Sequence, residues 1–172
     1  EPTDRGFEKY FGHLSGATNF FTGDNTFRLN GKPWSDFGED FYTTEVFIDY
    51  AEQFLDEMLT ESPEKPFFLY VAHNAPHYPL HVLEEDFRKY EDRYEEGWDV
   101  VREARYRKQV DSGLIPKEWA LSPRPEQVPA WQDLSEEGKD WDRRRMAAFA
   151  GMVDRVDQTT GRLAEALKEK GV

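Results

Sequence analysis

One short run of residues constrains this chain more than any other feature. Pro66-Phe67-Phe68-Leu69-Tyr70-Val71-Ala72 is continuously apolar, too short for most helices and rich in strand formers, and it is bounded by Pro66 and by His73-Asn74-Ala75-Pro76. It reads as a strand buried on both faces. Strands of that kind belong to parallel sheets covered by helices on each side, so the expected fold class is α/β. In such sheets ligands sit beyond the carboxyl ends of the strands. The polar groups just after Ala72 are therefore the best placed in the sequence for chemistry.

Helical patterns flank this run. From Thr43 or Thr44, a hydroxyl N-cap candidate, Phe47, Tyr50, Ala51, Phe54 and Met58 recur at 3.6-type spacing, which predicts an amphipathic helix over about 44–59. Ser62-Pro63 ends it, because a residue before proline is pushed out of the α region. A second helix is expected over about 140–170, where Met146, Phe149, Ala150, Val153, Val156, Thr160, Leu163, Ala164 and Leu167 draw one apolar stripe. Gly151 and Gly161 inside it are expected to admit a close neighbour. Residues 1–42 are glycine-rich and irregular, with Asn30-Gly31 as a turn signal after the short arm Phe27-Arg28-Leu29. Residues 82–139 read as helical pieces followed by a proline-rich excursion carrying Trp119 and Trp131, which are expected to pack on something.

Charge narrows the partners. The 172 residues hold 35 acidic and 22 basic side chains, a formal charge of −13. That balance disfavours nucleic acid and anionic membrane surfaces, and the longest basic run is only Arg143-Arg144-Arg145. No apolar stretch approaches the length of a transmembrane helix. With 13 Phe, 8 Tyr and 5 Trp, a packed core is feasible despite the charge. The absence of cysteine removes thiolate nucleophiles and Cys-type zinc sites.

The densest chemical signal is His73-Asn74-Ala75-Pro76-His77-Tyr78-Pro79-Leu80-His81, with three of the 4 histidines. Imidazole gives or takes a proton near neutral pH and, when protonated, offers two donors to an anion. A site here is suited to binding an oxyanion and protonating a leaving group. Spacing by four would place the three histidines on one helix face for zinc, but Pro76 and Pro79 prevent that helix. His13, between Gly12 and Gly16, is a weaker candidate. Acidic groups such as Glu84-Glu85-Asp86 read as solvated helix faces, without a catalytic role.

Three blocks in this order and spacing carry a family resemblance. They are Arg5-Gly6-Phe7-Glu8-Lys9-Tyr10-Phe11-Gly12 with Gly16; Lys65 to Tyr70 followed by Pro76-His77-Tyr78-Pro79; and Ala147 to Asp157 followed by Gly161-Arg162-Leu163. Together they resemble the type I sulfatases, the arylsulfatase branch of the alkaline-phosphatase-like superfamily. The resemblance implies a hydrolase of sulfate monoesters of the aryl type that uses a formylglycine nucleophile and a divalent cation, usually calcium. It implies that His77 contacts the sulfate and assists protonation of the leaving oxygen.

The nucleophile motif, C/S-x-P-x-R, has no counterpart here, since Ser122-Pro123-Arg124 has the wrong spacing. The family's aspartate pair and Asp-Asn metal ligands are also without counterparts. The expectation is thus an internal segment of one catalytic domain, with no cofactor of its own and inactive by itself. The chain would self-associate through its unfilled strand edges. Sulfatases of this type are often periplasmic, secreted or lysosomal, and the sequence selects none of these compartments. Two other readings share some of the features: a phosphoesterase or phosphonate hydrolase of the same superfamily, and an acidic assembly module using Trp119 and Trp131.

Overall fold

Alternation of helix-forming and turn-forming stretches gives a mixed fold. In a computed structural model describing residues 1–172, helices are joined with a small three-stranded antiparallel sheet. The chain divides into two units, Glu1–Leu83 with Met152–Val172, and Glu84–Gly151.

In the first unit, β1 (Phe11–Gly12), β2 (Arg28–Leu29) and β3 (Lys32–Pro33) lie in the order β1-β2-β3, both pairs antiparallel. The β2–β3 hairpin turns on Asn30 and Gly31, with φ of 49° and 80°, the left-handed pair that a two-residue turn requires and that Asn-Gly adopts most readily. Against this sheet lies α1 (Thr43–Glu61), whose apolar face carries Phe47, Tyr50, Ala51 and Phe54. Phe11 stacks on Tyr50 with ring centroids 3.7 Å apart, and Phe27, fully buried, meets Trp34, Phe37, Phe41 and Phe47. The glycine-rich opening thus makes an aromatic core, which its irregular backbone conceals from any periodicity argument.

Two details of α1 differ from the sequence reading. Tyr42 is the N-cap and gives no side-chain cap bond, while Thr43 and Thr44 are buried in the first turn. The Thr43 hydroxyl is instead committed to a tertiary contact, donating to Asn74 Oδ1 at 3.0 Å.

The expected buried strand is the larger correction. Residues 66–72 run without helix or strand assignment, and Phe68 and Tyr70 are 77% and 70% exposed. A strand needs a partner for its N–H and C=O groups, and no segment of this chain pairs with these residues. The parallel sheet expected from the run is absent for the same reason. What remains of the expectation is the non-helical path leading into the histidine loop.

The last helix, α4, spans Glu136–Lys170. In the first unit its buried residues include Met152 and Thr159, and Met152 joins Phe20 and Tyr42 in a small core with Ala75, Leu80, Val82 and Leu83 around it. Arg162 binds three α1 carboxylates, Glu45 at 3.0 Å, Asp49 at 2.6 Å and Glu52 at 3.1 Å, and Arg155 also reaches Glu45 at 3.0 Å. Helix α4 therefore meets α1 through cations as much as through apolar packing. The apolar stripe read from the sequence is turned elsewhere: Met146, Phe149 and Val153 are exposed, and Gly161 has open space beside it where a close neighbour was expected.

In the second unit, α2 (Glu84–Arg88) and α3 (Gly97–Asp111) precede the proline-rich stretch. Gly97 has φ of +79°, and the Trp131 ring lies where its Cβ would be, at 2.1 Å. Trp98 meets Trp131 edge-on at 4.9 Å, and the Trp131 N–H donates to Asp99 Oδ2 at 2.9 Å. Trp131 is thus used internally, as expected, whereas Trp119 is exposed. Asp86, read as part of a solvated acidic face, is fully buried, with Lys89 Nζ 2.8 Å away. No helix of the chain is long and apolar enough to cross a membrane.

Candidate functional site

The first unit holds a cavity of about 740 Å³ walled by residues 7–13 on one side and 68–74 on the other. The apolar face of α1 also lines it, with Phe47, Tyr50 and Phe54. Phe7 meets Phe68 with ring centroids 6.1 Å apart, so the walls come together near their amino ends. Near their carboxyl ends the Phe47 ring has His13 at 6.1 Å and His73 at 6.3 Å. His77 completes the lining. Three of the four histidines thus share one cavity.

Each histidine is held differently. Residues 73–81 contain no helix or strand, and the peptides Ala75–Pro76 and Tyr78–Pro79 are cis. The His77 N–H donates to the Asn74 carbonyl at 2.8 Å, closing a turn over Ala75 and Pro76. The His77 side chain is exposed, and its Nδ1 lies 2.6 Å from the Tyr78 carbonyl oxygen. Because a carbonyl only accepts, Nδ1 carries the proton in that contact, which leaves Nε2 as the nitrogen available to a ligand. His13 follows the same rule: its Nδ1 donates to the Ser15 carbonyl at 2.9 Å.

His73 differs, because both its ring nitrogens are buried without a hydrogen-bond partner, and burial lowers its pKa from the usual histidine value. Asn74 Nδ2 is likewise buried and unpartnered. His81 stands apart, since its Nδ1 accepts from the Phe20 N–H at 3.4 Å and its ring packs on Phe20 and Phe21. The sequence reading named His77 and His13 but gave His73 no role. The signal that would have found it is its register, immediately after an apolar run that approaches the α1 face.

Below this site, Asp24 organises the loop behind His13. Burial pushes its carboxyl up, but hydrogen bonds from Thr26 and Ser15 outweigh that and hold it at about 2. No three histidine or carboxylate side chains of the chain converge as a metal site would require.

Two apolar walls ending in histidines, over a helix face, define a site suited to an anion with an apolar appendage. The comparisons with known proteins are more specific. The sulfatase family model matches residues 1–172, and the chain belongs to the sulfatase family. An uncharacterized sulfatase of Schizosaccharomyces pombe is 32% identical over 99% of this chain and 33% of its own length. An arylsulfatase of Klebsiella aerogenes is 28% identical over 99% of this chain and 38% of its own length. Arylsulfatase J of Mus musculus is 32% identical over 52% of this chain and 16% of its own length. The chain thus spans about a third of the length of the first two relatives.

Proposed function

We propose that residues 1–172 are an internal segment of one sulfatase catalytic domain, of alkaline-phosphatase-like α/β fold, that hydrolyses sulfate monoesters of the aryl type. His77 is the residue of this segment that touches sulfate and donates a proton to the leaving oxygen. The observation that carries this reading is the anchored His77 ring: Nδ1 is held by the Tyr78 carbonyl while Nε2 is left without a protein partner at the cavity lining.

In the imidazolium form, Nε2–H hydrogen-bonds an ester oxygen. As the S–O bond breaks, its proton passes to the departing oxygen, and the ring is left neutral. Help of this kind is worth about 10²- to 10⁴-fold in rate, or about 3–5 kcal/mol. His13 is a second donor toward the same anion. The aromatic residues of α1 suit an apolar leaving group.

The family resemblance implies formylglycine as nucleophile and calcium as charge partner in the complete domain. Neither is drawn from the residues of this segment, so the isolated chain binds sulfate without turning over its esters. Sulfate titrated into the ¹⁵N-histidine-labelled chain should shift the His77 ring signals. An unmoved His77 would sink the assignment. So would turnover of nitrophenyl sulfate by the chain alone that His77→Ala abolishes.

A further inference from the structure

Behind His13 runs a chain of hydrogen bonds whose polarity is fixed at every link. It starts at Asp24, whose carboxylate only accepts. Its Oδ1 takes the Thr26 N–H at 2.7 Å and the Thr26 hydroxyl at 2.5 Å, and its Oδ2 takes the Ser15 hydroxyl at 2.8 Å. With its proton spent on Asp24, Thr26 Oγ1 accepts from the Leu14 and Ser15 N–H groups, both at 3.2 Å. Thr26 Oγ1 also lies 3.2 Å from Ser15 Oγ, a longer path for its proton than the one to Asp24. Ser15 Oγ, its own proton likewise spent, is left to accept from His13 Nδ1, 3.2 Å away. The Ser15 carbonyl oxygen, 2.9 Å from the same nitrogen, imposes the same direction. Nδ1 therefore shares its proton between two oxygens of one residue, and Nε2 is left for the cavity that the ring lines.

We propose that Asp24 is a positioning residue for anion recognition. Through the Ser15 hydroxyl it turns the His13 ring so that Nε2 meets the anion, and its negative charge offsets that of the ring when both ring nitrogens donate. This role presupposes that His13 and His77 face one anion, as proposed above. The Asx turn that Asp24 makes with the Thr26 N–H needs one carboxylate oxygen. The other oxygen goes nine residues back along the chain, to the side chain that holds the imidazole.

The sign of one substitution separates positioning from plain charge. Asp24 has the same charge sign as sulfate, so Asp24→Asn strengthens sulfate binding if the carboxylate acts only through space. Acting through His13, the same change weakens it. The amide keeps an acceptor for the Thr26 turn but presents N–H groups to Ser15, whose hydroxyl proton is then free to face Nδ1 and oppose its N–H.

The probe is inorganic sulfate, titrated into the whole chain at constant ionic strength and followed by the ring signals of ¹⁵N-labelled histidines. Asp24→Asn and Ser15→Ala should each weaken binding about three-fold or more, and Ser15→Thr, which keeps the hydroxyl, should restore it. In a His13→Gln background, with no ring to turn, Asp24→Asn should no longer weaken binding. In the parent chain before sulfate is added, long-range ¹H–¹⁵N spectra should place the proton of the neutral His13 ring on Nδ1, a readout that needs no variant to fold.

Three results overturn the role of Asp24: a His13 proton on Nε2 in the parent, sulfate binding unchanged or strengthened by Asp24→Asn, and equal weakening with and without the His13 ring. Sulfate that moves the His77 signals but not those of His13 also overturns it, and leaves the assignment of His77 standing. Sulfate that moves His13 alone removes the His77 assignment and keeps this role, and sulfate that moves neither removes both.

Discussion

Replacing Gly97 with alanine isolates the packing of the second unit in one methyl group. The added Cβ meets two independent obstacles. At φ of +79° an L-residue is strained by about 1–2 kcal/mol, and the methyl would lie 2.1 Å from the Trp131 ring, well inside contact distance. Relieving that overlap means moving an indole that also contacts Trp98, on a residue whose backbone N–H is held by Asp99, an overpacking cost of about 1–3 kcal/mol. The sum is about 2–5 kcal/mol, which for a chain of this length lowers Tm by roughly 10 °C.

Thermal melts followed by tryptophan fluorescence give the comparison, because the displaced ring is itself a reporter. Gly161→Ala is the matched control: it sits in α4 with open space around it, and alanine there should add about 1 kcal/mol of helix stability. If Gly97→Ala melts within a degree or two of the parent with unchanged fluorescence, the packing described around Trp131 is wrong.

Two more expectations follow from the site and the exposed surface. Since the folded Asp24 carboxyl titrates near 2 against 3.8 when free, it contributes stability that is present above pH 4 and lost as pH falls toward 2. After allowance for solvent screening this is about 1 kcal/mol, and Asp24→Asn should flatten the acid limb of denaturant midpoints measured from pH 5 to pH 2. Exposed apolar side chains, among them Phe68, Tyr70 and Val153, should make the chain self-associate, with a mass by light scattering that rises with concentration. Val153→Glu should lower that rise, and a concentration-independent monomer would count against it.

The helices were legible because each has a periodic signature: α1 lies over Thr43–Glu61 where 44–59 was expected, and α4 over Glu136–Lys170 where 140–170 was expected. Which face of α4 is buried was not legible. Its most apolar stripe lost to a face carrying Arg155 and Arg162, whose partners Glu45, Asp49 and Glu52 sit over a hundred residues away and leave no local trace. The run 66–72 was read correctly as non-helical and wrongly as covered, because strand propensity describes a residue's fitness for a sheet and not the presence of a partner. The prolines of 73–81 announced a loop rather than a helix, and His77 and His13, named from the sequence, both line the cavity. His73 was not legible, since burial against Phe47 depends on a helix 26 residues upstream in sequence.

The loop bearing His77 is pinned on both sides. Asn74 accepts from Thr43, and at position 81 the carbonyl accepts from Tyr42 while the ring accepts from Phe20. A leash of residues 75–80 between two fixed posts leaves its middle little room to wander. The imidazole at position 77 is therefore confined to a narrow range of bearings, and folding itself supplies the aim.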